Sequence, residues 1–514
     1  MHHRIHWAMA PVLNILLLSL LFTFQHPTTW QARAQTEMLA LHQQPQMAMP
    51  MPQSLQSAPQ PFSELPVPIT DPSPSPPSCT HSNTTAFALS SPDAPIPFLT
   101  SKDDDKNKPM HPALPRLPTP TNTTAWEQWF FEGVSSSGKA GFVLSFSRDA
   151  TYAFFGRGNL RVEFYLVFED GSVLQELDFA AESGLAWGAC RPGGNGNSGN
   201  GSMVEGVWRA GRGRGRDWDR EYAFSIDTQT GEAQVRFDTP RASGVVEFAA
   251  PASSLGPAPG PETETETALH LPLFTLAPTA RSTTFTMTMT MALSPGKKIS
   301  YAGSGSHMHM WAAAGLLKVT EGFHIVRGRA GPFEFAFWEF ASRVWAGVGF
   351  VRAWVSRDGV VVAEVRATAA AAAGAATGGN EYCDAVSGDC VSLKPITGFA
   401  GYGTPGGLPG SGGSSSKTTG HALRFTTSEN RSYAFDVEHA NRHFGMALGG
   451  PYGAVGFTNR VLGGDGEGSV YVGSAWSEEA RFPEELARWR VWVVFGIGML
   501  GRVWEGVWGG LGRA

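Results

Sequence analysis

Residues Thr283 to Ala292 alternate without a break. Phe285, Met287, Met289 and Met291 fall on one side of an extended chain and four threonines on the other. A period of two marks a half-buried strand, and the methionine stripe reads as core packing rather than a metal or cofactor box. Similar segments recur along the chain. Trp126 to Val134 and Gly141 to Phe146 are predicted strands. Leu160–Phe168 and Val173–Phe179 flank Glu169-Asp170-Gly171-Ser172, and Glu221–Ile226 and Ala233–Phe237 flank Asp227 to Gly231. Both spacings predict hairpins, the first on an Asp-Gly turn. Arg191 to Arg216 has no periodicity and is expected to be a loop. After Arg343, strands are predicted near Ala346–Val355, Val360–Thr368, Ala422–Thr427, Ser432–Val437, His443–Ala447, Ala454–Val461 and Ser469–Ser474. The low-complexity stretch Ala369–Asn380 and the Gly/Ser loop Gly401–Gly420 interrupt them. No long helical period precedes Pro483. The pattern predicts an all-β chain: an N-terminal β-sandwich over 125–296 and a C-terminal β-barrel over 297–480.

The ends differ from this core. A basic start, an apolar run from Val12 to Phe24 and the small-x-small triplet Ala32-Arg33-Ala34 read as a secretory signal over 1–34. Residues 35–124 are rich in Pro, Gln and Ser and cannot bury enough apolar surface to offset ordering, so a disordered lead is expected. Residues 481–514 form an apolar tail with Trp489, Trp492, Trp504 and Trp508. It is expected to dock on the barrel, with contact to a membrane surface as the alternative. The secretory pathway or an extracellular or vesicular lumen is the expected location. Sequons at Asn83, Asn122, Asn200 and Asn430 suit that compartment. So do the four cysteines: Cys383 and Cys390 flank a short loop and are expected to pair, and Cys79 with Cys190 is one option for a second bridge. The formal net charge of −6 gives no case for nucleic acid.

The candidate chemistry gathers between Tyr301 and Arg343. His307, His309 and Trp311 share one face of a strand. His324 and Arg327 follow, before the corner Gly331-Pro332 and the aromatic strand Phe333 to Phe340. An H-x-H pair with no obvious acidic ligand is a weak metal signal, and no metal or cofactor is expected. There is no G-x-S-x-G elbow and no G-x-x-x-x-G-K-[ST] loop, which disfavours that hydrolase class and phosphate cradling.

Trp126-Glu127-Gln128-Trp129-Phe130-Phe131 resembles the E-x-W-[YF]-F opening of the family of carotenoid hydratase-like and lipocalin-like proteins. His307-Met308-His309-Met310-Trp311 is similar to the segment that opens its second domain, and Arg327 to Phe333 to its G-[HR]-x-G-P-[YF] corner. The resemblance covers roughly 125–480 and implies that the second domain is a lipocalin-like β-barrel. It also implies the fungal Diels-Alderases, and the secretory features resemble those that join a tropolone-type quinone methide to humulene. The implied activity is a cofactor-free cycloaddition on hydrophobic terpenoid and polyketide-derived substrates. A non-catalytic carrier and a hydratase or isomerase are the alternatives. The expected site lies where the two domains meet. Trp129, Trp311, Phe337 and Trp338 are its expected walls, and His309, His324 and Arg327 its donors or acids.

Overall fold

The computed structural model describes residues 79–85, 111–117, 125–149, 159–188, 203–210, 220–239, 241–250, 268–291, 298–370, 381–398, 417–449, 452–466 and 468–484. Twenty-three strands carry nearly all of them. The first group is β1 (Cys79–Thr85), β2 (Trp126–Ser135), β3 (Gly141–Asp149), β4 (Leu160–Val167), β5 (Val173–Phe179), β6 (Glu182–Gly188) and β7 (Met203–Ala210). It continues with β8 (Arg220–Asp227), β9 (Ala233–Asp238), β10 (Ala242–Phe248), β11 (Leu269–Leu271), β12 (Phe274–Met291) and β13 (Lys298–Ala312). One helical turn, α1 (Leu316–Val319), leads to the second group. That group is β14 (Thr320–Ala330), β15 (Phe333–Ser342), β16 (Val348–Arg357), β17 (Val360–Ala370) and β18 (Glu381–Cys383). It ends with β19 (Cys390–Gly398), β20 (Lys417–Thr426), β21 (Ser432–Gly449), β22 (Tyr452–Asp465) and β23 (Tyr471–Arg481).

The first thirteen strands form one antiparallel sheet in the order β1-β6-β7-β8-β9-β10-β12-β13-β2-β3-β4-β5, with β11 added to β12. The sheet curls over its own core of Phe131, Phe142, Phe146, Trp208, Phe224 and Phe285. Each such side chain contributes roughly 1.5–3 kcal/mol by leaving water. The last ten strands form a meander, β14 to β23, in which β14 and β23 pair and complete the ring. The ring's remaining seam lies between β17 and β18. There Asp389 accepts from the Glu364 amide at 3.3 Å and Asp384 from the Arg366 amide at 2.9 Å. Carboxylates thus take the place of ladder bonds, giving a near-closed barrel around Phe335, Phe337, Val365, Leu423 and Phe435. The β18–β19 hairpin carries a disulfide between Cys383 and Cys390, with Cα atoms 4.0 Å apart. The Gly-Pro corner between β14 and β15 uses Gly331 at φ 57°, where a Cβ would lie 2.3 Å from the Tyr471 ring.

Several expectations need correcting. The lead is not wholly unstructured: β1 pairs along β6, and residues 111–117 pack Ala113 and Leu117 into the protein. Their backbone groups find partners on the first sheet, which composition cannot register. Strand β13, assigned above to the second domain, belongs to the first sheet between β12 and β2. The boundary therefore lies between Ala312 and Thr320, not at 297. The expected loop Arg191–Arg216 contains β7, and the two strands expected over 432–447 are one, bulged at His439–Asn441 and Arg442–Phe444. The signal segment, the tail beyond residue 484, Asn122, Asn200 and Cys190, and with it the Cys79–Cys190 pairing, lie outside the described residues, as does the side chain of Asn83.

The two sheets meet through Trp126, Phe130, Met308, Ile325, Trp338, Phe340 and Trp476. A buried ion pair crosses this seam, Arg327 to Glu132 at 2.9 Å, and Ser306 adds a hydrogen bond to the same carboxylate oxygen at 3.1 Å. Burial pushes the Glu132 carboxyl up, and the Arg327 guanidinium opposes that shift. Removing one partner strands the other charge in a dry place. Arg327→Ala is therefore expected to cost about 3–5 kcal/mol in urea unfolding, and the double variant Arg327→Met, Glu132→Leu to recover most of it. Equal losses in both would show that packing, not the charge pair, holds the seam.

Candidate active site

In a strand, neighbouring side chains point to opposite faces. On β2, Glu127, Trp129 and Phe131 face the first sheet's own core, while Trp126, Gln128 and Phe130 face the barrel. On β13, His307 and His309 point inward with Trp129 and Phe131, and Met308 and Met310 point toward the barrel. On β14 and β23, Phe323, Ile325, Trp476 and Glu478 face the first sheet, while Val326 and Ala475 belong to the barrel core.

Between these faces lies a cavity of about 170 Å³. Trp126, Phe130, Met308, Met310, Phe340 and Trp476 supply apolar wall, with Phe444 and Met446 from β21 beside Tyr165. One polar cluster interrupts it. Arg161 pairs with Asp149 at 3.2 Å and with Glu163 at 3.3 Å, and Ser145 donates to Glu163 at 3.1 Å. Glu478 completes the cluster. Burial pushes its carboxyl up to about 8, and the nearby Glu163 adds to the shift. Trp476 is oriented by donating its indole N–H to His443 Nε2 at 3.2 Å.

None of the seven residues singled out from the sequence lines this cavity. They divide among other places. His309 is fully buried, stacked on Trp129 with ring centres 4.5 Å apart. Its Nδ1 faces the Pro112 carbonyl at 2.7 Å and its Nε2 faces Glu127 at 3.0 Å. Trp129 donates to the Ala113 carbonyl, the Arg116 amide donates to Glu127, and the Arg116 guanidinium lies 4.8 Å from the Trp311 ring centre. His309, Trp129, Glu127 and Trp311 thus clamp segment 111–117. Phe337 and His324 lie inside the barrel, and Arg327 and Trp338 in the seam. Trp129, His309, Trp311, His324 and Phe337 thus lie on the opposite strand faces from the cavity lining, while Arg327 and Trp338 share its faces without reaching it. Glu163, Tyr165 and Glu478 were missed because their strands are far off in sequence. The available signal was Glu478-Glu479 after the uncharged run Tyr471–Ser477 of β23.

Two other polar regions do not form comparable sites. An open groove of about 820 Å³ along β8 to β13 carries Asp227, Glu232 and Glu247. Its Asp227 carboxylate is engaged by the Gln229 and Thr230 amides and Glu247 by Gln234. Inside the barrel, His324 contacts Glu339 at 3.2 Å and Glu479 at 3.5 Å, while Tyr382 donates to Glu339. Burial alone would depress the His324 imidazole, but its hydrogen bonds to the two carboxylates raise it to about 10. His421 nearby is pushed down to about 3, first by burial and then by the neighbouring histidines. Among the described residues no group of His, Cys, Asp and Glu could hold a metal ion.

A raised histidine stabilises the fold fully below its unfolded value of 6.5 and loses that contribution as pH climbs through about 10. The stability gap between the wild type and His324→Gln is therefore expected to be widest below pH 6.5 and to shrink toward zero near pH 10. Urea titrations across that range check it, and a gap that widens with pH would contradict the assignment.

Against known proteins, a family model described as Diels-Alderase-like matches residues 77–483. A hexane cyclase of Xenoacremonium sinensis is 31% identical over 434 residues, covering 83% of this chain and 87% of that one. A Diels-Alderase of Thermothelomyces thermophilus is 31% identical over 434 residues with the same coverage. The crystal structure of CghA with Sch210972 shares the fold, with a TM-score of 0.59 at 21% identity over 79% of this chain and 99% of that one. The matched span begins just before β1 and ends just after β23, taking in both sheets and every residue that lines the cavity between them, and the chain belongs to the Diels-Alderase-like family.

Proposed function

We propose that the cavity between the two sheets binds a hydrophobic polyene and catalyses a Diels–Alder cycloaddition that closes a six-membered ring, as the names of the hexane cyclase relatives suggest. The observation that carries the proposal is the lining itself: aromatic and methionine walls from two sheets, with a single charged cluster. A cycloaddition forms two bonds in concert and requires no nucleophile. Catalysis by the protein then consists of holding diene and dienophile folded on one another, which supplies as much as roughly 7–11 kcal/mol. Trp476 is locked by His443, and Trp126 packs on Phe274 with ring centres 5.6 Å apart, so these walls resist an extended substrate conformer.

The finer reading, an intermolecular hetero-Diels–Alder reaction joining a tropolone-type quinone methide to humulene, is supported by the secretory features of the sequence rather than by the cavity. Asn430 sits exposed in the turn between β20 and β21, a position open to the glycosylation that export would bring. Contact of the C-terminal tail with a membrane belongs to the same proposal. Among the described residues no helix is long and apolar enough to cross one.

The test is cycloadduct formation from a linear polyene carrying its own dienophile, compared with the two-component pair. A carrier would bind either without accelerating ring closure, and a hydratase would incorporate solvent oxygen. Met310→Trp fills the cavity from a position whose side chain is only partly buried, so the rate is expected to fall at least roughly tenfold while melting changes little. An unchanged rate and product ratio in this variant would place the reaction elsewhere.

A further inference from the structure

Resting on that cycloaddition, we infer that Glu478 is its catalytic hydrogen-bond donor: the carboxyl donates to a carbonyl oxygen conjugated with the dienophile, so the substrates are polyenes bearing an enone or acyl-activated alkene.

The geometry singles out this carboxyl. Glu478 lies on β23 opposite Ile325 of β14 and Gly456 of β22, and its side chain lines the cavity. It has no hydrogen bond or ion pair among the described residues, whereas every charged neighbour is engaged. Asp149 and Glu163 share Arg161, and Glu163 also takes the Ser145 hydroxyl. Arg327, two residues along β14 from Ile325, is spent on Glu132. His443 is used by Trp476, and burial keeps that imidazole neutral, pushed down to about 3. Glu479, the next residue on β23, faces the barrel interior and pairs with His324. Among the described residues no cation pairs with Glu478, and a second carboxylate, Glu163, lies nearby. Burial first, and then the neighbouring carboxylate, favour the neutral acid, with a value raised to about 8.

A neutral acid is the useful form here. In a normal-demand cycloaddition electron density moves from diene to dienophile, and the conjugated carbonyl oxygen becomes more negative in the transition state. A fixed O–H donor therefore binds the transition state better than the ground state. The proton stays on Glu478 throughout; two carbon–carbon bonds form and nothing is transferred. A carboxylate at the same place would repel the developing charge, so the rate is expected to fall as pH rises through about 8.

The experiment follows ring closure of a linear polyene with a tethered enone, and of its analogue with methylene in place of the carbonyl, across the neutral to alkaline range. Acceleration is expected for the enone and a loss of at least roughly tenfold for the analogue. Glu478→Leu is expected to lose a similar factor in kcat with little change in KM. Glu478→Gln keeps an N–H donor that cannot ionise, so it is expected to retain most of the rate and lose the alkaline fall. Infrared difference spectra of the unliganded protein should show a carboxylic acid carbonyl band near pH 7 that is absent from Glu478→Gln. Wild type that accelerates neither substrate would overturn the functional reading. Wild type that accelerates both equally, a Glu478→Leu variant at the wild-type rate, a Glu478→Gln variant that keeps the alkaline fall, or no acid band would overturn the role of Glu478 alone.

Discussion

The back-to-back contact between two curved sheets is the constraint on which the rest depends. Strands β2, β13, β14 and β23 each serve two environments at once. One face completes a closed core, Phe131 and Phe146 in the first sheet, Phe335 and Phe435 in the barrel. The other face looks across the seam. Because side chains alternate along a regular strand, a residue that tightens a core fixes the position of the neighbour that walls the cavity. The cavity walls are therefore held by two complete hydrophobic cores.

The clamp on segment 111–117 extends this logic. His309, Trp129 and Glu127 hold the Pro112–Ala113 and Arg116 backbone against the inner face of β2 and β13, behind Gln128, Phe130, Met308 and Met310. Both ring nitrogens of His309 face oxygen atoms, the Pro112 carbonyl and the Glu127 carboxylate. These residues act on the cavity from behind, by fixing the strands that form it. The barrel side has its own buried polar support in His324, Glu339, Tyr382 and Glu479, none of which reaches the cavity.

Much of the architecture was legible in the sequence, for identifiable reasons. The Thr/Met stripe of β12, the Asp-Gly turn after β4 and the Gly-Pro corner after β14 are local signals, and the structure follows them. The sheet membership of β13 was not legible, because β2, its second partner, is far off in sequence and only pairing decides it. Five of the seven residues singled out from the sequence differ from the cavity lining in parity. His309 and Trp311 were grouped by face, as they should be, but periodicity alone cannot say which face meets the other sheet. Arg161, Glu163 and Glu478 come together from β4 and β23, three hundred residues apart in order of magnitude, and no single-chain pattern announces such a meeting. The β1 strand and the 111–117 segment were hidden by a Pro- and Ser-rich composition that describes average behaviour, not a specific seat.

The central claim is that ring closure takes place between the sheets rather than inside the barrel or in the open groove. A crystal structure of the protein with its cycloadduct tests this most directly. The account predicts product between Met308, Met310, Phe340 and Trp476, with its carbonyl oxygen within hydrogen-bond distance of Glu478. Product found among His324, Glu339 and His421, or along the groove by Asp227 and Glu247, would contradict it.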